Sequence, residues 1–319
     1  MPASTAYSIL LKKENAHEDP IYCCAWAKTA TSGDPKAPTK DFIATGGLDG
    51  LVKVWLFENN RLELVHSLAG HSMAVVSVAV SFDGHTLAST SLDSTLIIWD
   101  LLSGHKVHEV QNSGTDIWKV AFSPEGHHIV TGSHTGKLGI YGIEKASLEC
   151  VLDTRGKFVL SLAWSPDGKY IASGSTDGAA CLFDAAQGKL LHTIQAHTQA
   201  VNTVTFSADS SLLLTASSDG TVHTYNVASG SLQSSMKLAC RAASAAASSD
   251  GRAAAAAADG AVRVASLDKL QDLHVFKEHT GAVCGVQFNP EGNQLLSVSK
   301  DRSINIYECP PPPKSAAKK

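Results

Sequence analysis

The sequence lacks a surplus of basic residues. Its 26 Lys and Arg are outnumbered by 30 Asp and Glu, which gives a formal charge of -4 over 319 residues. Proteins that bind nucleic acids or anionic membranes need a cationic surface to neutralise phosphate groups. We therefore expect no direct nucleic-acid partner and no membrane partner.

Long apolar segments are also missing. No window of about 18 uncharged apolar residues occurs in the chain, and residues 1–20 lack the basic and apolar regions of a secretory signal. The seven cysteines are scattered without a C-x-x-C pair, so the usual zinc and redox motifs are absent. These absences predict a chain with reduced thiols and no metal or cofactor, in the cytoplasm and nucleus.

What the sequence does contain is an internal repeat. A turn aspartate, replaced once by threonine, recurs at spacings of 44, 42, 42, 42, 40 and 42 residues. P-E-G or P-D-G turns at Pro124, Pro166 and Pro290 keep the same register. The turn positions are Asp49, Asp93, Thr135, Asp177, Asp219, Asp259 and Asp301.

Each unit of the repeat has the pattern of short strands. Apolar and polar residues alternate over runs bounded by Gly, Asp, Asn and Pro, as in Val75–Asp100, which is the period of half-buried β-strands. Four strands and one signature turn in about 40–45 residues are typical of propeller blades. Seven units from about residue 7 to residue 308 therefore predict an all-β, seven-bladed β-propeller.

The propeller is expected to span residues 1–309 as a single domain with some irregular segments. Residues 27–41 in the first unit are predicted to be an inserted surface loop because they are rich in Pro, Gly, Ser and Thr. The sixth unit, about residues 237–266, has alanine at nearly every strand position, so we expect the least stable blade there. Residues 7–13 are predicted to complete the last blade, and residues 310–319 to form a disordered Pro and Lys tail.

Ser or Thr, His and Asp residues recur at fixed offsets from the turn position. One such set would suggest a hydrolase, because a serine nucleophile needs an imidazole base and an orienting carboxylate. Repetition favours a structural role instead, since a buried turn aspartate needs hydrogen-bond donors in every blade. The three sets, each with an aromatic residue, are His71, Ser89, Asp93 and Trp99; His197, Thr215, Asp219 and Tyr225; and His279, Ser297, Asp301 and Tyr307.

The units also carry a family resemblance. The A-G-H at Ala69–His71 and the Trp99-Asp100 pair resemble the WD-repeat family, whose blades are bounded by G-H and W-D. More closely, Leu152–Gly178, Leu48–Trp55 and Ile304–Pro310 resemble the small WD-repeat subunit shared by the superkiller (Ski) and polymerase-associated factor (Paf) complexes. The resemblance covers almost the whole chain.

The resemblance implies a non-catalytic interaction scaffold without a small-molecule substrate. Its implied partners are the tetratricopeptide-repeat scaffold and helicase subunits of a Ski-type complex, in cytoplasmic 3′–5′ mRNA decay with the exosome. In the nucleus they are subunits of a Paf-type transcription elongation complex. A WD-repeat scaffold of another assembly, such as a ciliary complex, a coat or a ubiquitin-ligase receptor, is the alternative.

Two of the possible functions have less support in the sequence. WD-repeat receptors of ubiquitin ligases are recognised by W-D-x-R at the end of a blade, whereas Trp99-Asp100 is followed by Leu101-Leu102. An enzyme that uses the central channel would need convergent charged or metal-binding residues, and no such motif occurs in the sequence.

One face of the propeller is expected to bind the partners. The WD-repeat pattern places the residue before the turn position, and the third and fifth residues after the histidine position, near the rim of this face. Units one to four hold mostly large apolar side chains there, and units five to seven hold small or polar ones. Clustered aromatic and apolar side chains on a surface are typical of protein-binding hot spots. The predicted partner-binding residues, called the rim crescent below, are Pro20, Tyr22, Leu48, Leu92, Asp116, Trp118, His134, Phe158 and Leu160.

Overall fold

The computed structural model describes residues 6–30, 38–111, 117–156 and 158–310. Over these ranges the chain forms 28 β-strands in seven antiparallel four-stranded sheets. The first strand of each blade contacts the first strands of both neighbouring blades, so the sheets close into a ring around a central channel. The described ranges contain no helix, and therefore none that is long and apolar enough to cross a membrane. The prediction of an all-β, seven-bladed propeller is confirmed.

The strands are numbered in chain order, and each blade runs from an inner strand to an outer strand. Blades one to three contain β2 (Ile21–Ala30), β3 (Thr39–Gly47), β4 (Val52–Glu58) and β5 (Arg61–Leu68); β6 (Val75–Val80), β7 (Thr86–Ser91), β8 (Thr95–Asp100) and β9 (Lys106–Gln111); and β10 (Ile117–Phe122), β11 (His128–Ser133), β12 (Lys137–Gly142) and β13 (Ser147–Asp153). Blades four and five contain β14 (Val159–Trp164), β15 (Tyr170–Ser175), β16 (Ala179–Asp184) and β17 (Leu190–Gln195); and β18 (Val201–Phe206), β19 (Leu212–Ser217), β20 (Thr221–Asn226) and β21 (Leu232–Lys237). Blades six and seven contain β22 (Ala242–Ala247), β23 (Arg252–Ala257), β24 (Val262–Ser266) and β25 (Asp272–Phe276); and β26 (Val283–Phe288), β27 (Gln294–Ser299), β28 (Ile304–Glu308) and β1 (Ser8–Lys13).

The N-terminal strand closes the ring, as predicted. β1 pairs antiparallel with β28, from Ser8 opposite Glu308 to Lys13 opposite Ile304. The pairing completes the seventh sheet with a strand from the other end of the chain. It also covers the edge of β28, which would otherwise present unpaired backbone groups.

The turn that carries the repeated aspartate depends on its following glycine. Gly178 has a φ of +86°, and a Cβ at this position would lie 2.2 Å from the carbonyl oxygen of His197. Glycine adopts this left-handed backbone without a steric penalty and leaves room for the neighbouring loop. The D-G pair therefore allows the two loops at one end of a blade to pack closely.

The two ends of the segment predicted to be an insertion loop are part of the sheet of blade one. Ala27–Ala30 and Thr39–Asp41 are strand residues that pair with one another or with Phe42, because β2 and β3 run on past the length of the other hairpins. Trp26 supports this extension by donating a 2.9 Å hydrogen bond from Nε1 to Asp41. Residues 31–37 of the predicted loop lie outside the described residues, as do residues 311–319 of the predicted tail.

The alanine-rich sixth unit forms strands. Every residue of β23 is buried, and its alanines pair in register with those of β22. The flanking blades help to fill the space beside these small side chains, with Leu214, Met236 and Leu238 of blade five on one side and Phe288 of blade seven on the other, where Phe276 of the blade's own outer strand also packs. Packing between blades thus overrides the helical propensity of alanine.

A fully buried arginine begins the second strand of this blade. The Arg252 guanidinium donates to the Asp250 carboxylate from Nε at 3.0 Å and Nη2 at 2.5 Å. It also donates to the carbonyl oxygens of Gly292 and Pro310, each at 2.6 Å. Arg252 therefore ties blade six to blade seven and to the last described residue of the chain.

Candidate functional site

One end of the ring, called the upper face below, is built from two loops in each blade. In six of the blades the residue before the turn position donates its backbone N–H to the carbonyl of the residue before the inner strand. Examples are Leu48 to Pro20 at 2.9 Å and Thr176 to Phe158 at 3.0 Å. In these blades a backbone hydrogen bond therefore joins the turn at the repeated position to the loop before the inner strand, and both of these segments carry predicted rim crescent residues.

The Ser, His and Asp residues of blade two form one chain of hydrogen bonds below this face. Trp99 Nε1 donates to Ser89 Oγ at 2.9 Å, and Ser89 Oγ lies 2.7 Å from His71 Nε2. The opposite imidazole nitrogen, Nδ1, is 3.2 Å from the Asp93 carboxylate. Because a carboxylate only accepts, Nδ1 carries the proton and Nε2 accepts the serine hydroxyl. Ser89 is fully buried, so this geometry fixes the two loops instead of presenting a nucleophile.

Blade seven repeats this arrangement. His279 lies 2.7 Å from Ser297 Oγ and 3.1 Å from the Asp301 carboxylate, and the Tyr307 hydroxyl is 3.3 Å from Ser297 Oγ. Here a tyrosine hydroxyl stands in the place of the tryptophan N–H. The fourth member of the set therefore needs only a polar group at the end of an aromatic ring.

Blade five departs from the predicted set at its aromatic member. His197 lies 2.8 Å from Thr215 Oγ1 and 3.2 Å from Asp219. Tyr225, however, donates its hydroxyl to the carbonyl of Ala196 at 2.9 Å, and a second imidazole, His223, stacks on His197 at 4.4 Å between centroids. His223 Nδ1 also lies 3.1 Å from the Tyr225 hydroxyl, so the tyrosine contacts this imidazole and the loop backbone instead of Thr215.

The protonation states of the buried sets follow from their surroundings. Burial, with the nearby charge of His223, lowers the pKa of His197 to about 4. Burial alone would raise the pKa of Asp219, but hydrogen bonds from Thr221 and Thr198 lower it to about 2. At neutral pH the pair is therefore a neutral imidazole and a carboxylate, a combination suited to holding a turn.

The structure contains a fourth set, in blade one, in addition to the three assigned from the sequence. His17 lies 2.8 Å from both Asp49 and Thr45, and Trp55 Nε1 donates to Thr45 Oγ1 at 3.0 Å. The long first hairpin separates His17 from Asp49 by 32 residues instead of 22, so blade one was not counted among the sets that share the shorter spacing. The offsets of Thr45 and Trp55 from Asp49 match those of the other sets and could have revealed it.

The rim crescent residues fall into two groups on the upper face. Leu48 and Leu92 are 45% and 37% exposed, which is high for large apolar side chains. They line the upper mouth of the central channel together with half-buried side chains of the inner strands. The rim crescent members that line the channel are Tyr22, Leu48, Leu92, Trp118 and Leu160.

The second group surrounds the mouth. Phe158 packs edge-on against Trp118, with 5.2 Å between ring centroids and an interplanar angle of 85°, a favourable aromatic geometry. Pro20 is half-buried in its loop, and His134 is exposed before the turn of blade three. Asp116 lies outside the described residues.

Sequence reasoning missed Met73, which adds to this surface. Met73 is 50% exposed and lies in the upper loop before β6. Its carbonyl accepts a hydrogen bond from Ser91, the last residue of β7, so the two upper loops of blade two meet there. Methionine is frequent on protein-binding surfaces because its side chain adapts to a partner. Its position two residues after His71 was not among those that the repeat pattern assigned to the rim.

The channel beneath the mouth has a volume of about 1040 Å³. Within the described ranges, no group of three His, Cys, Asp or Glu side chains is placed to hold a metal ion. Burial raises the pKa of the Cys23 thiol, which lines the channel, to about 12, so this thiol is not a thiolate nucleophile at neutral pH. The distinctive feature of the channel is instead its upper mouth, where large apolar side chains lie on one side.

Comparisons with known proteins agree with the fold. Residues 56–308 match the family described as the IFT122 first beta-propeller, and residues 9–55 match the family described as WD domain, G-beta repeat. Neither description names a catalytic activity.

Individual relatives match shorter segments. The WD repeat-containing protein SL1-17 of Schistosoma mansoni is 33% identical over 112 residues, which are 35% of this chain and 35% of that protein. The WD repeat-containing protein VIP3 of Arabidopsis thaliana is 31% identical over 105 residues, 33% of this chain and 30% of that protein. The small ribosomal subunit protein RACK1y of Oryza sativa subsp. japonica is 40% identical over 79 residues, 25% of this chain and 22% of that protein.

These matches thus span about a third or less of each relative. Their names do not mention the Ski or Paf complexes, so membership of those complexes stays a prediction. The repeat, the closed ring and the family match over residues 56–308 agree with one another. The chain belongs to the family of the IFT122 first β-propeller and is a WD-repeat β-propeller.

Proposed function

We propose that this propeller is a non-catalytic protein–protein interaction scaffold, a subunit of the Ski complex in cytoplasmic mRNA decay and of the Paf complex in nuclear transcription elongation. The observation that carries the scaffold function is the asymmetry of the upper face. Large apolar side chains of blades one to four surround one side of the channel mouth, and small or polar side chains surround the other. Proteins retain an exposed apolar patch of this kind where a partner covers it.

The mechanism is docking on a preformed surface. Two hydrogen-bonded loops in each of six blades hold the described part of the rim crescent, and buried imidazole–carboxylate pairs fix these loops in blades one, two, five and seven. A rigid surface loses little conformational entropy when a partner binds. Trp118 and Phe158, already packed against each other, would act as the anchor.

A second candidate is a propeller module of another multiprotein assembly. It is favoured by the match of residues 56–308 to the IFT122 first beta-propeller. This candidate uses the same upper face and the same mechanism, and it differs only in the partners.

Affinity purification of the tagged chain, followed by quantitative mass spectrometry, distinguishes these candidates. The Ski and Paf assignment predicts a helicase and a tetratricopeptide-repeat protein in cytoplasmic lysate and elongation subunits in nuclear lysate. Copurification of a different defined assembly, with none of these subunits, would support the second candidate and contradict the first.

Two charge-introducing variants separate the faces. Trp118→Glu with Phe158→Glu alters the upper face, and Phe82→Glu alters a residue that is 87% exposed on the β6–β7 turn at the opposite end of the ring. We expect the double variant to lose the partners and Phe82→Glu to keep them, with both proteins folded by thermal melting. Retention of partners by the folded double variant would place the binding site elsewhere.

A further inference from the structure

Three cationic side chains line the central channel at positions where most other blades have smaller residues. The first is Lys119, which directly follows the register shift at the start of β10. Six other blades have the same shift, and the residue after it is small in all of them. These equivalents are Cys23, Ser77, Ser161, Thr203, Ser244 and Gly285.

The other two cations belong to the upper loops of blades six and seven. The backbone N–H of Ala258 donates to the carbonyl of Arg241 at 3.1 Å, and that of Lys300 donates to Ala282 at 3.0 Å. This repeated bond identifies their equivalents. Arg241 replaces the alanines found in blades two, five and seven, and Lys300 replaces the Ser218 of blade five.

These three cations have no acidic partner in the described part of the chain. No described residue that lines the channel is Asp or Glu, and none of the three forms a salt bridge with a described residue. The carboxylate of Asp301, next to Lys300, is already held by the Thr280 backbone and by His279. Among the described residues, the wall of the channel therefore offers no carboxylate to these three cations.

The same mouth also has an apolar side. Lys119, Arg241 and Lys300 come from blades three, six and seven, and the wall between them includes Trp118 and Leu160. Burial raises the pKa of the Cys284 thiol, against the opposing effect of the nearby Lys300 and Arg241, so this thiol supplies no negative charge. A complementary ligand must combine negative charge with apolar surface.

We propose that the upper mouth of the channel binds an acidic, apolar peptide segment of a partner protein, with its carboxylate at Lys119, Arg241 and Lys300 and its apolar side chain against Trp118 and Leu160. This inference rests on the proposed scaffold function and specifies the chemistry of the partner. A bare polyanion such as polyphosphate or RNA would satisfy the cations but leave the apolar side uncovered. A peptide satisfies both sides of the mouth.

The test is selection of random short peptides displayed on phage against the full chain. We expect enriched peptides to carry Asp or Glu close to a large apolar residue. Synthetic copies with a fluorescent label then give affinities by anisotropy. Lys119→Ser, which copies Ser77 and Ser161 and should therefore fold, is expected to weaken binding about tenfold or more.

A double-mutant cycle ties the peptide carboxylate to the lysine. Changing the peptide Asp to Asn should weaken binding to the unaltered protein by at least the factor that Lys119→Ser does, and it should weaken binding to Lys119→Ser by a smaller factor. Arg241→Ala, which copies blades two, five and seven, should also weaken binding. Lys12→Ser is the matched control, because Lys12 is an exposed lysine paired with Glu14 on the N-terminal strand, and it should leave the affinity unchanged.

The outcomes separate this inference from the proposed function. Peptides that require Trp118 but carry no acidic residue overturn the inference and leave the scaffold function standing. Peptides insensitive to both Trp118→Glu and Lys119→Ser contradict docking at this mouth, overturn the inference and place the binding site of the scaffold elsewhere. Binding of tripolyphosphate or an RNA oligonucleotide that is lost in Lys119→Ser, without peptide enrichment, overturns the inference in favour of an anion site.

Discussion

Replacement of Arg252 by methionine tests how the alanine-rich blade is held in the ring. The arginine side chain is fully buried and donates to Asp250, Gly292 and Pro310, while its guanidinium lies 5.8 Å from the centroid of the Phe288 ring. Methionine keeps much of the packing but removes every donor. Breaking a fully buried ion pair on one side costs about 3–5 kcal/mol. Because the guanidinium is fully buried but 27% of the Asp250 side chain is exposed, we expect a loss in the free energy of unfolding at the lower end of this range.

The assay is chemical denaturation followed by tryptophan fluorescence, with thermal melting as a second measure. Each kcal/mol should lower the melting temperature by about 2–4 °C in a chain of this size. Arg263→Met is the matched control, because Arg263 lies on the neighbouring strand and pairs with the exposed Asp272 at 3.2 Å. It should cost about 1 kcal/mol or less. If the two variants lose equally little stability, Arg252 is not the tie between blades that its contacts indicate.

Three further predictions concern the blade interiors. Trp99→Phe removes the N–H that donates to Ser89 and should lower the free energy of unfolding by about 1 kcal/mol, measured by denaturation; no change would show that the bond adds nothing to stability. Acid should destabilise the ring between pH 6.5 and pH 4. The pKa of His197 is about 6.5 in the unfolded chain and about 4 in the folded protein, so the free energy of unfolding that is present above pH 6.5 falls by up to about 3 kcal/mol as the pH drops to 4. Asp219, with a pKa of about 2, stays ionised over this range. Denaturation curves that are unchanged over this range would contradict the assignment. Amide hydrogens of β22 and β23 should exchange faster than those of β6 and β7, because alanine buries less apolar area; equal protection would refute the expected weakness of blade six.

The repeat predicted the architecture well because every unit carries the same signals. A strand period, a turn aspartate and a turn glycine recur at nearly constant spacing, so errors in one unit are corrected by the others. The closing strand β1 was predictable for the same reason, since the last unit stops one strand short. Even the alanine run in β23 was assigned to a strand by register against its intrinsic propensity.

Changes in loop length limited the prediction of the site. The turn between β22 and β23 is one residue shorter than the equivalent turn between β26 and β27, so counting back from Asp259 places Ala242 where the structure has Ala243. Lys119 was overlooked because its position holds small residues in the other blades and was not counted as part of the rim. Arg252 follows a D-G turn and has the sequence context of an exposed residue, whereas its burial depends on contacts with blade seven and Pro310. These features depend on contacts between blades, which the repeat pattern does not encode.

The central claim is that partners dock on the upper face through the rim crescent. Hydrogen exchange of the propeller, alone and in a complex with its copurified partner, tests this claim directly. We predict new protection in the upper loops around Leu48, Leu92 and Trp118, and unchanged exchange in the β6–β7 turn around Phe82. Protection confined to the β6–β7 side or to the outer strands would contradict the account.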